Sequence, residues 1–254
     1  MTTPASSEVP VHTGSTTTRL LGIAVLVGLV ALILLGFFGA PKDDEQADAV
    51  RLIFVHVPSA FLTYAAFSVT AVGSVMWLWK RSVWWDLVAH GSAEIGVVFC
   101  SLTLFTGSVW GRPTWNTYWD WGDVRLVTTL ILLLLMVGYL AVRSMGGDDS
   151  AVATRSAIVA LIAAVNLPIV NRSVDWWFDR TLHQKSSLTD GNLEDLTLFT
   201  LLLGVVVWSL FYVWVMIHRF RVGWLERELR FGDLDLALAQ RRAEAHTIND
   251  GGDR

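Results

Sequence analysis

Six long apolar segments constrain the fold of this chain more than any other feature of its sequence. They lie at roughly 20–40, 53–79, 87–109, 126–142, 156–170 and 196–217. A helix that crosses the hydrocarbon core of a bilayer needs about 20 apolar residues, and most of the six are long enough. Of the 254 residues, 53% are hydrophobic and only 17% are charged, which excludes an ordinary soluble domain. The sequence therefore predicts an all-α integral membrane protein, a bundle of six transmembrane helices.

Two of these segments carry local signals. The first is long for the apolar region of a signal peptide and is followed by Pro41, so we interpret it as a span. The fifth is the shortest and contains Asn166 and Pro168. Because proline lacks the backbone N–H of a helical residue and clashes with the preceding turn, we expect the fifth helix to end or kink there.

The distribution of basic residues favours one orientation in the membrane. Six spans place both termini on the same side, and arginines near the helix ends are more frequent on that side. The positive-inside rule then predicts cytoplasmic termini and extracytoplasmic loops at 41–52, 110–125 and 171–195. With a net charge of −4, the chain has no bulk attraction for nucleic acid, and its expected surroundings are the lipid bilayer.

Three regions follow from this reading. Residues 1–18 are rich in serine and threonine and are predicted to form a disordered tail, residues 19–217 form the membrane domain, and residues 218–254 form a charged cytoplasmic tail. Within that tail, Trp224–Phe231 suits either an amphipathic helix on the membrane surface or a solvated helix.

The second outer loop is rich in large aromatic residues. Four tryptophans and one tyrosine fall between residues 110 and 121: Trp110, Trp115, Tyr118, Trp119 and Trp121. An interfacial aromatic belt explains one or two such rings at a helix end. The alternative is a platform for a large flat apolar ligand, because indole faces offer wide and stiff contact surfaces. Arg112, Arg125 and Arg172 would then pair with carboxylates of that ligand.

Two histidines flank this loop in the sequence. His56 stands at the outer start of the second span, and His183 lies in the third outer loop. Two neutral imidazoles that approach one iron from opposite sides make a haem site, so we predict that they are axial ligands of a haem iron. His90 and Glu94 are a weaker candidate for a functional site. They lie four residues apart and can share one face of the third helix, where they form either a functional site or a buried polar pair. Cys100 is the single cysteine, so the chain has no CxxCH motif of a c-type cytochrome.

With these residues in view, the chain resembles the C subunit of the cytochrome c maturation system I, the haem exporter protein C family of WWD-domain proteins. The resemblance covers about residues 50–217. Its strongest parts are His56–Ala60, Ser92–Gly96, Thr106–Pro113, the tryptophan loop ending at Arg125-Leu126, Asn166–Ile169, Ser173–Trp177 and Leu182–Gln184.

The resemblance implies a multi-pass protein of a bacterial or archaeal inner membrane that binds haem b transiently at its outer face and is not itself an enzyme. The family's two axial histidines match His56 and His183, and its tryptophan motif matches residues 110–126. The partners implied are a membrane-anchored haem chaperone, which receives the haem, together with ABC transporter subunits and a small single-span subunit.

The motif of this chain departs from the family pattern in two loops. Its ending, Trp119 to Leu126, is one residue longer than the usual W-x-W-D-x-R-L, so the motif aspartate is either Asp123, the better match, or Asp120. The segment from Trp177 to His183 is also two residues longer than in the family pattern. Loops tolerate such insertions.

Two other functions compete with haem delivery. A b-type haem electron-transfer subunit would place histidine pairs within its helices, often at both faces of the membrane. A secondary transporter of haem would show inverted repeats and broken helices with polar groups at the midplane, and only His90, Glu94 and Asn166 supply such groups here.

Overall fold

The architecture was obtained as a computed structural model, which describes residues 15–43, 46–183 and 194–251, with side chains up to residue 232. In these ranges the regular elements are helices: α1 Thr16–Leu34, α2 Ile53–Lys80, α3 Val83–Trp115, α4 Val124–Ser144, α5 Asp149–Ala164, α6 Asn166–Trp176 and α7 Asp195–Gly251. A π-helical turn at Leu35–Gly39 extends α1, and short 3₁₀ turns at Asp48–Leu52 and Phe178–Arg180 precede α2 and follow α6.

Six stretches are long and apolar enough to cross a membrane, which confirms the predicted six-span helical bundle. They are Thr16–Gly39, Asp48–Lys80, Val83–Trp115, Val124–Ser144, Asp149–Trp176 and Asp195–Gly232. Many large apolar side chains on them are exposed, including Leu26, Val98, Phe105 and Val206. A bilayer would cover these side chains, because lipid tails are as apolar as they are.

Helices α2 and α3 form the centre of the bundle as an antiparallel hairpin. The turn between them places Arg81 in the left-handed region, with φ of 54°. Glycines allow the close approach of the two helices, since a Cβ on Gly96 would lie 2.3 Å from the Phe67 ring and one on Gly73 would lie 3.0 Å from Ala89. The main core lies beside this hairpin and includes Phe67, Cys100, Leu132, Met136 and Tyr139.

The fifth span is broken, as the sequence predicted. Helix α5 ends at Ala164 and α6 begins at Asn166. Pro168 has no N–H to bond the carbonyl of Ala164, which favours a break here, and it lies in the first turn of α6, where a proline is tolerated. The Asn166 side-chain amide donates to the Thr128 carbonyl at 2.8 Å and ties the break to α4.

Two boundaries differ from those expected. The tryptophan-rich segment does not begin as a loop, because α3 continues through Trp115 and ends at Asn116 with φ of 58°. The region from 218 onward is not a separate short helix, because α7 runs unbroken for 57 residues to Gly251. At 1.5 Å per residue this helix is about 86 Å long, well beyond the thickness of a bilayer.

The amino-terminal boundary also shifts. Ser15 caps α1 by accepting from the Thr18 N–H, so residues 16–18 are helical, and residues 1–14 of the predicted tail lie outside the described residues.

The two ends of the bundle differ in chemistry. We call the end at which α2 begins and α3 ends the histidine end, because His56 and His183 lie there. The opposite end, where α2 ends and α3 begins, is the arginine end. There Arg143 pairs with Asp86, and Arg227 and Arg230 of α7 both pair with Asp149.

Candidate functional site

A cleft at the histidine end brings together the two histidines that the sequence singled out. His56 comes from α2, and His183 follows the 3₁₀ turn after α6. Arg125, at the start of α4, lines the same cleft. The remaining lining is mostly apolar and includes Ala60, Tyr64, Leu104, Leu126, Leu132 and Val170. Residues distant in the sequence thus converge on one small apolar space with basic and imidazole groups at its edge.

His56 lies in the first turn of α2, which confirms its predicted place at the start of the second span. Its Nδ1 lies 3.0 Å from the Thr106 hydroxyl of α3. That hydroxyl also donates to the Leu102 carbonyl at 2.7 Å. This bond favours a proton on Nδ1 of the neutral His56 ring, with the lone pair on Nε2.

Asp123 lies beside the His183 ring. His183 Nδ1 lies 3.5 Å from Asp123 Oδ2, without a hydrogen bond of normal geometry. Burial raises the pKa of the Asp123 carboxyl, but the His183 ring and the N–H groups of Leu126 and Leu182 outweigh it and lower that pKa to about 2. An ionised carboxylate can only accept, so it favours the proton on Nδ1 and again leaves Nε2 with the lone pair.

Asp123 also joins two segments of backbone. Its Oδ1 accepts from the Leu126 N–H at 2.9 Å and caps α4, while its Oδ2 accepts from the Leu182 N–H at 2.6 Å and from the Thr181 hydroxyl at 3.1 Å. Only 1% of its surface is exposed. Asp120, the other candidate for the motif aspartate, instead accepts from the Gly122 N–H within its own turn. The geometry therefore makes Asp123 the aspartate that contacts the His183 segment.

Each histidine contacts one tryptophan at the end of α3. The rings of His56 and Trp110 meet edge to face at 5.7 Å between centroids, and those of His183 and Trp115 lie 5.1 Å apart. Trp110 is fixed in turn by a hydrogen bond from its Nε1 to Gln46. These two tryptophans therefore support the histidines and are not part of an evenly spread belt.

The other aromatic residues of the motif lie further out. Trp119 and Trp121 pack edge to face at 5.5 Å, and Trp121 and Tyr118 are exposed. The buried Nε1 of Trp119 has no hydrogen-bond partner among the described residues. These rings form an exposed apolar surface that could cover a flat ligand from the solvent side.

The three candidate arginines occupy different places. Arg125 lines the cleft and donates to Ser173 Oγ and the Asn171 carbonyl of α6. Arg112 is exposed, donates to Asn116 and lies over the Tyr118 ring. Arg172 pairs with Asp175 at 3.3 Å on the exposed side of α6. Of the three, Arg125 is therefore the one that faces the same space as both histidines.

At the arginine end, His90 and Glu94 form part of an ion-pair network. His90 Nε2 lies 3.6 Å from Glu94, whose carboxylate also accepts two 2.7 Å hydrogen bonds from Arg219 of α7. Sequence reasoning missed the role of Arg219 as the partner of Glu94. The contacts favour the interpretation of His90 and Glu94 as a polar link between helices.

Sequence reasoning also missed Thr106. A threonine that bonds the carbonyl four residues earlier is common in helices, so the sequence gives no sign that this one contacts a histidine. Gly107, its neighbour, provides space for the contact, since a Cβ there would lie 2.9 Å from His56 Cε1.

Comparison with known proteins assigns the family. The sequence profile described as Heme exporter protein C matches residues 2–234. The chain belongs to the Heme exporter protein C family. The Bradyrhizobium diazoefficiens protein of that name is 36% identical over 231 residues, covering 87% of this chain and 85% of the relative. The Escherichia coli K12 protein of the same name is 40% identical over 178 residues, or 68% of this chain and 70% of the relative.

A mitochondrial relative extends the comparison. A Marchantia polymorpha protein named as ccmC-like and linked to cytochrome c biosynthesis is 36% identical over 157 residues, or 62% of this chain and 65% of the relative. The resemblance stated from the motifs is thereby confirmed at the level of the family, and the chain is a multi-pass membrane protein.

Proposed function

We propose that this member of the Heme exporter protein C family binds haem b transiently at the cleft of the histidine end and delivers it to a membrane-anchored haem chaperone during cytochrome c biogenesis. One observation carries the proposal most strongly. Two histidines from separate elements line one cleft, and each turns Nδ1 towards an acceptor of the protein. Both Nε2 lone pairs are then available to an iron.

The donor set fits haem better than it fits a bare metal ion. Among the described residues, no three His, Cys, Asp or Glu side chains converge on a common point. Haem, as the cargo, supplies an iron that already has four porphyrin nitrogens, and it needs only two axial ligands from the protein. His56 and His183 would provide those ligands, and Arg125 would pair with a propionate.

The dimensions of the cleft support a site that releases its cargo. Its volume is about 90 Å³, well below the roughly 300–1,000 Å³ of pockets that enclose a ligand. A porphyrin would therefore lie at the mouth of the cleft, with the exposed Tyr118 and Trp121 rings beside it. His183 stands outside the helices, so that ligand can leave the iron without any change in the bundle.

The surroundings of the chain are part of the same proposal. Both termini would be cytoplasmic and the histidine end extracytoplasmic, because Arg143, Arg219, Arg221 and Arg227 flank the spans at the arginine end. ABC transporter subunits and a small single-span subunit would be partners. The chain itself makes no covalent bond to haem in this proposal, so it acts as a delivery subunit and not as an enzyme.

The two competing functions have less support. An electron-transfer subunit needs a second haem site or a redox partner. The candidate for a second site is His90, but it contacts Glu94 and lies near Arg143. The described chain places no second histidine there. A transporter needs free polar groups within the bilayer. Here Glu94 is bound to Arg219, and Asn166 bonds a backbone carbonyl.

The test combines haem titration with cytochrome c maturation in cells that lack the native protein. His56→Ala and His183→Ala should each abolish tight haem binding and maturation. His218→Ala is the matched control, because His218 lies on α7 against Trp214 and away from the cleft, and it should leave both unchanged. Full haem binding and full maturation in either cleft variant would contradict the proposal.

A further inference from the structure

We infer that Thr106 is a positioning residue that sets the tautomer of His56 and thereby presents Nε2 to the haem iron. This inference rests on the proposed function for its consequence, but the tautomer itself is a property of the protein without haem. It starts from Thr106, a residue that is 5% exposed and whose hydroxyl lies between a carbonyl and an imidazole.

The contacts of the Thr106 hydroxyl favour one arrangement of its hydrogen bonds. The Thr106 hydroxyl has one proton, and its two other close neighbours on α3 are the carbonyls of Leu102 at 2.7 Å and Thr103 at 3.3 Å. Carbonyls only accept, and the shortest of these contacts is the one with Leu102, so we infer that the proton points there. The contact with His56 Nδ1 at 3.0 Å is then made by a proton on the ring.

The surroundings keep the ring in this orientation. Gly107 lets the imidazole edge lie directly against α3, since a Cβ there would be 2.9 Å from His56 Cε1. On another side the ring meets Trp110 edge to face. A flip of the imidazole would bury Nδ1 away from its acceptor, and an unsatisfied buried donor is unfavourable.

Loss of the hydroxyl should therefore change the ring chemistry without changing its packing. Thr106→Val keeps the branched shape but removes the acceptor, so the tautomer with the proton on Nε2 becomes populated and cannot ligate through that atom. Partners that orient a metal-bound histidine typically change affinity by roughly 10- to 100-fold. We expect haem affinity to fall by about 10-fold. Thr106→Ser keeps the hydroxyl and should stay close to the wild type.

The matched control is Thr70→Val. Thr70 is also buried, and its hydroxyl likewise donates to the carbonyl four residues earlier, that of Ala66 at 3.0 Å. It does not line the cleft. Any general effect of removing a buried threonine hydroxyl from this bundle will therefore appear in Thr70→Val as well.

The experiment is ¹⁵N NMR of histidine-labelled, haem-free protein in detergent, with His56 assigned by its absence in His56→Ala, followed by titration with hemin. We expect a proton on Nδ1 of His56 in the wild type, in Thr106→Ser and in Thr70→Val. In Thr106→Val we expect this proton to be lost from Nδ1 and hemin binding to be weaker. A wild-type proton on Nε2 would overturn the inference without any variant, even if Thr106→Val failed to fold. An altered tautomer with unchanged hemin affinity would also overturn it. Failure of the wild type to bind hemin would instead count against the proposed function.

Discussion

Replacement of Asp123 by asparagine tests how the His183 segment is held. The carboxylate accepts from two backbone N–H groups, one at Leu126 and one at Leu182, through different oxygens. Asparagine has only one oxygen, so its NH₂ group must face one of these donors whichever way the amide turns. One buried backbone donor loses its acceptor in either case. We expect the segment of Thr181 to His183 to detach from the start of α4 more readily.

The structure sets the size of this effect. An unsatisfied buried donor costs about 1–3 kcal/mol, and about 2 kcal/mol corresponds to roughly a 30-fold change in an equilibrium. If all of that loss falls on the docked state of the His183 segment, haem affinity drops by up to about 30-fold. Asp120→Asn is the matched control, since its amide oxygen can still accept from the Gly122 N–H. It should change haem affinity by less than about threefold.

The pH dependence gives a second readout of the same contact. Folding lowers the pKa of the Asp123 carboxyl to about 2, from about 3.9 in an unfolded chain. The stabilisation is therefore fully present above about pH 4 and is lost as the pH falls towards 2. The stability difference between wild type and Asp123→Asn should therefore shrink as the pH falls from about 4 towards 2.

Haem titration by absorbance and thermal unfolding in detergent measure these quantities. The reasoning fails if Asp123→Asn binds haem as tightly as the wild type, or if Asp120→Asn loses as much affinity as Asp123→Asn. The second result would mean that Asp120 contributes to haem binding as much as Asp123 does.

Two further predictions concern packing at the two ends of the bundle. Gly107→Ala should weaken haem binding, because its Cβ would lie 2.9 Å from His56 Cε1. Gly138→Ala is the control and should not weaken binding, because its Cβ would meet nothing within 4 Å. Haem titration of both variants checks this prediction. Arg219→Ala should lower the unfolding free energy by about 1–2 kcal/mol, because it leaves the part-buried Glu94 without its bidentate partner. Thermal unfolding measures that loss. The double variant Glu94→Gln/Arg219→Gln should recover part of the lost stability. An unchanged melting temperature in Arg219→Ala would contradict the assignment of Arg219 as the stabilising partner of Glu94.

The spans could be predicted because the bilayer imposes its length on the sequence. The segments at 53–79 and 87–109 correspond to α2 and α3 within a few residues at most ends. The break before Pro168 was also predictable, since a proline removes a helical hydrogen bond and favours a kink or a new helix start.

The end of α3 was not predictable by the same reasoning. The apolar segment ends at residue 109, which suggested a loop from Trp110 onward, yet the helix continues to Trp115. Pro113 removes a single hydrogen bond, and the helix ends only two residues later, so little helical structure is lost. Asn116 then ends the helix in a left-handed conformation that asparagine tolerates.

The candidate site was predicted by residue type but not by arrangement. His56 and His183 were selected because both flank the tryptophan motif, and the structure brings them to one cleft. The contact between Asp123 and the His183 segment joins residues about sixty positions apart. Nothing in local propensity or periodicity specifies such a contact, which depends on how α4 and α6 pack.

The central claim is that His56 and His183 ligate the same iron from opposite sides. Electron paramagnetic resonance of the ferric, haem-loaded chain tests it most directly, with His56→Ala and His183→Ala measured before and after addition of free imidazole. The account predicts a low-spin bis-imidazole signal in the wild type, its loss in each variant and its return when imidazole fills the vacant axial position. A low-spin signal that persists unchanged in either variant would contradict the account.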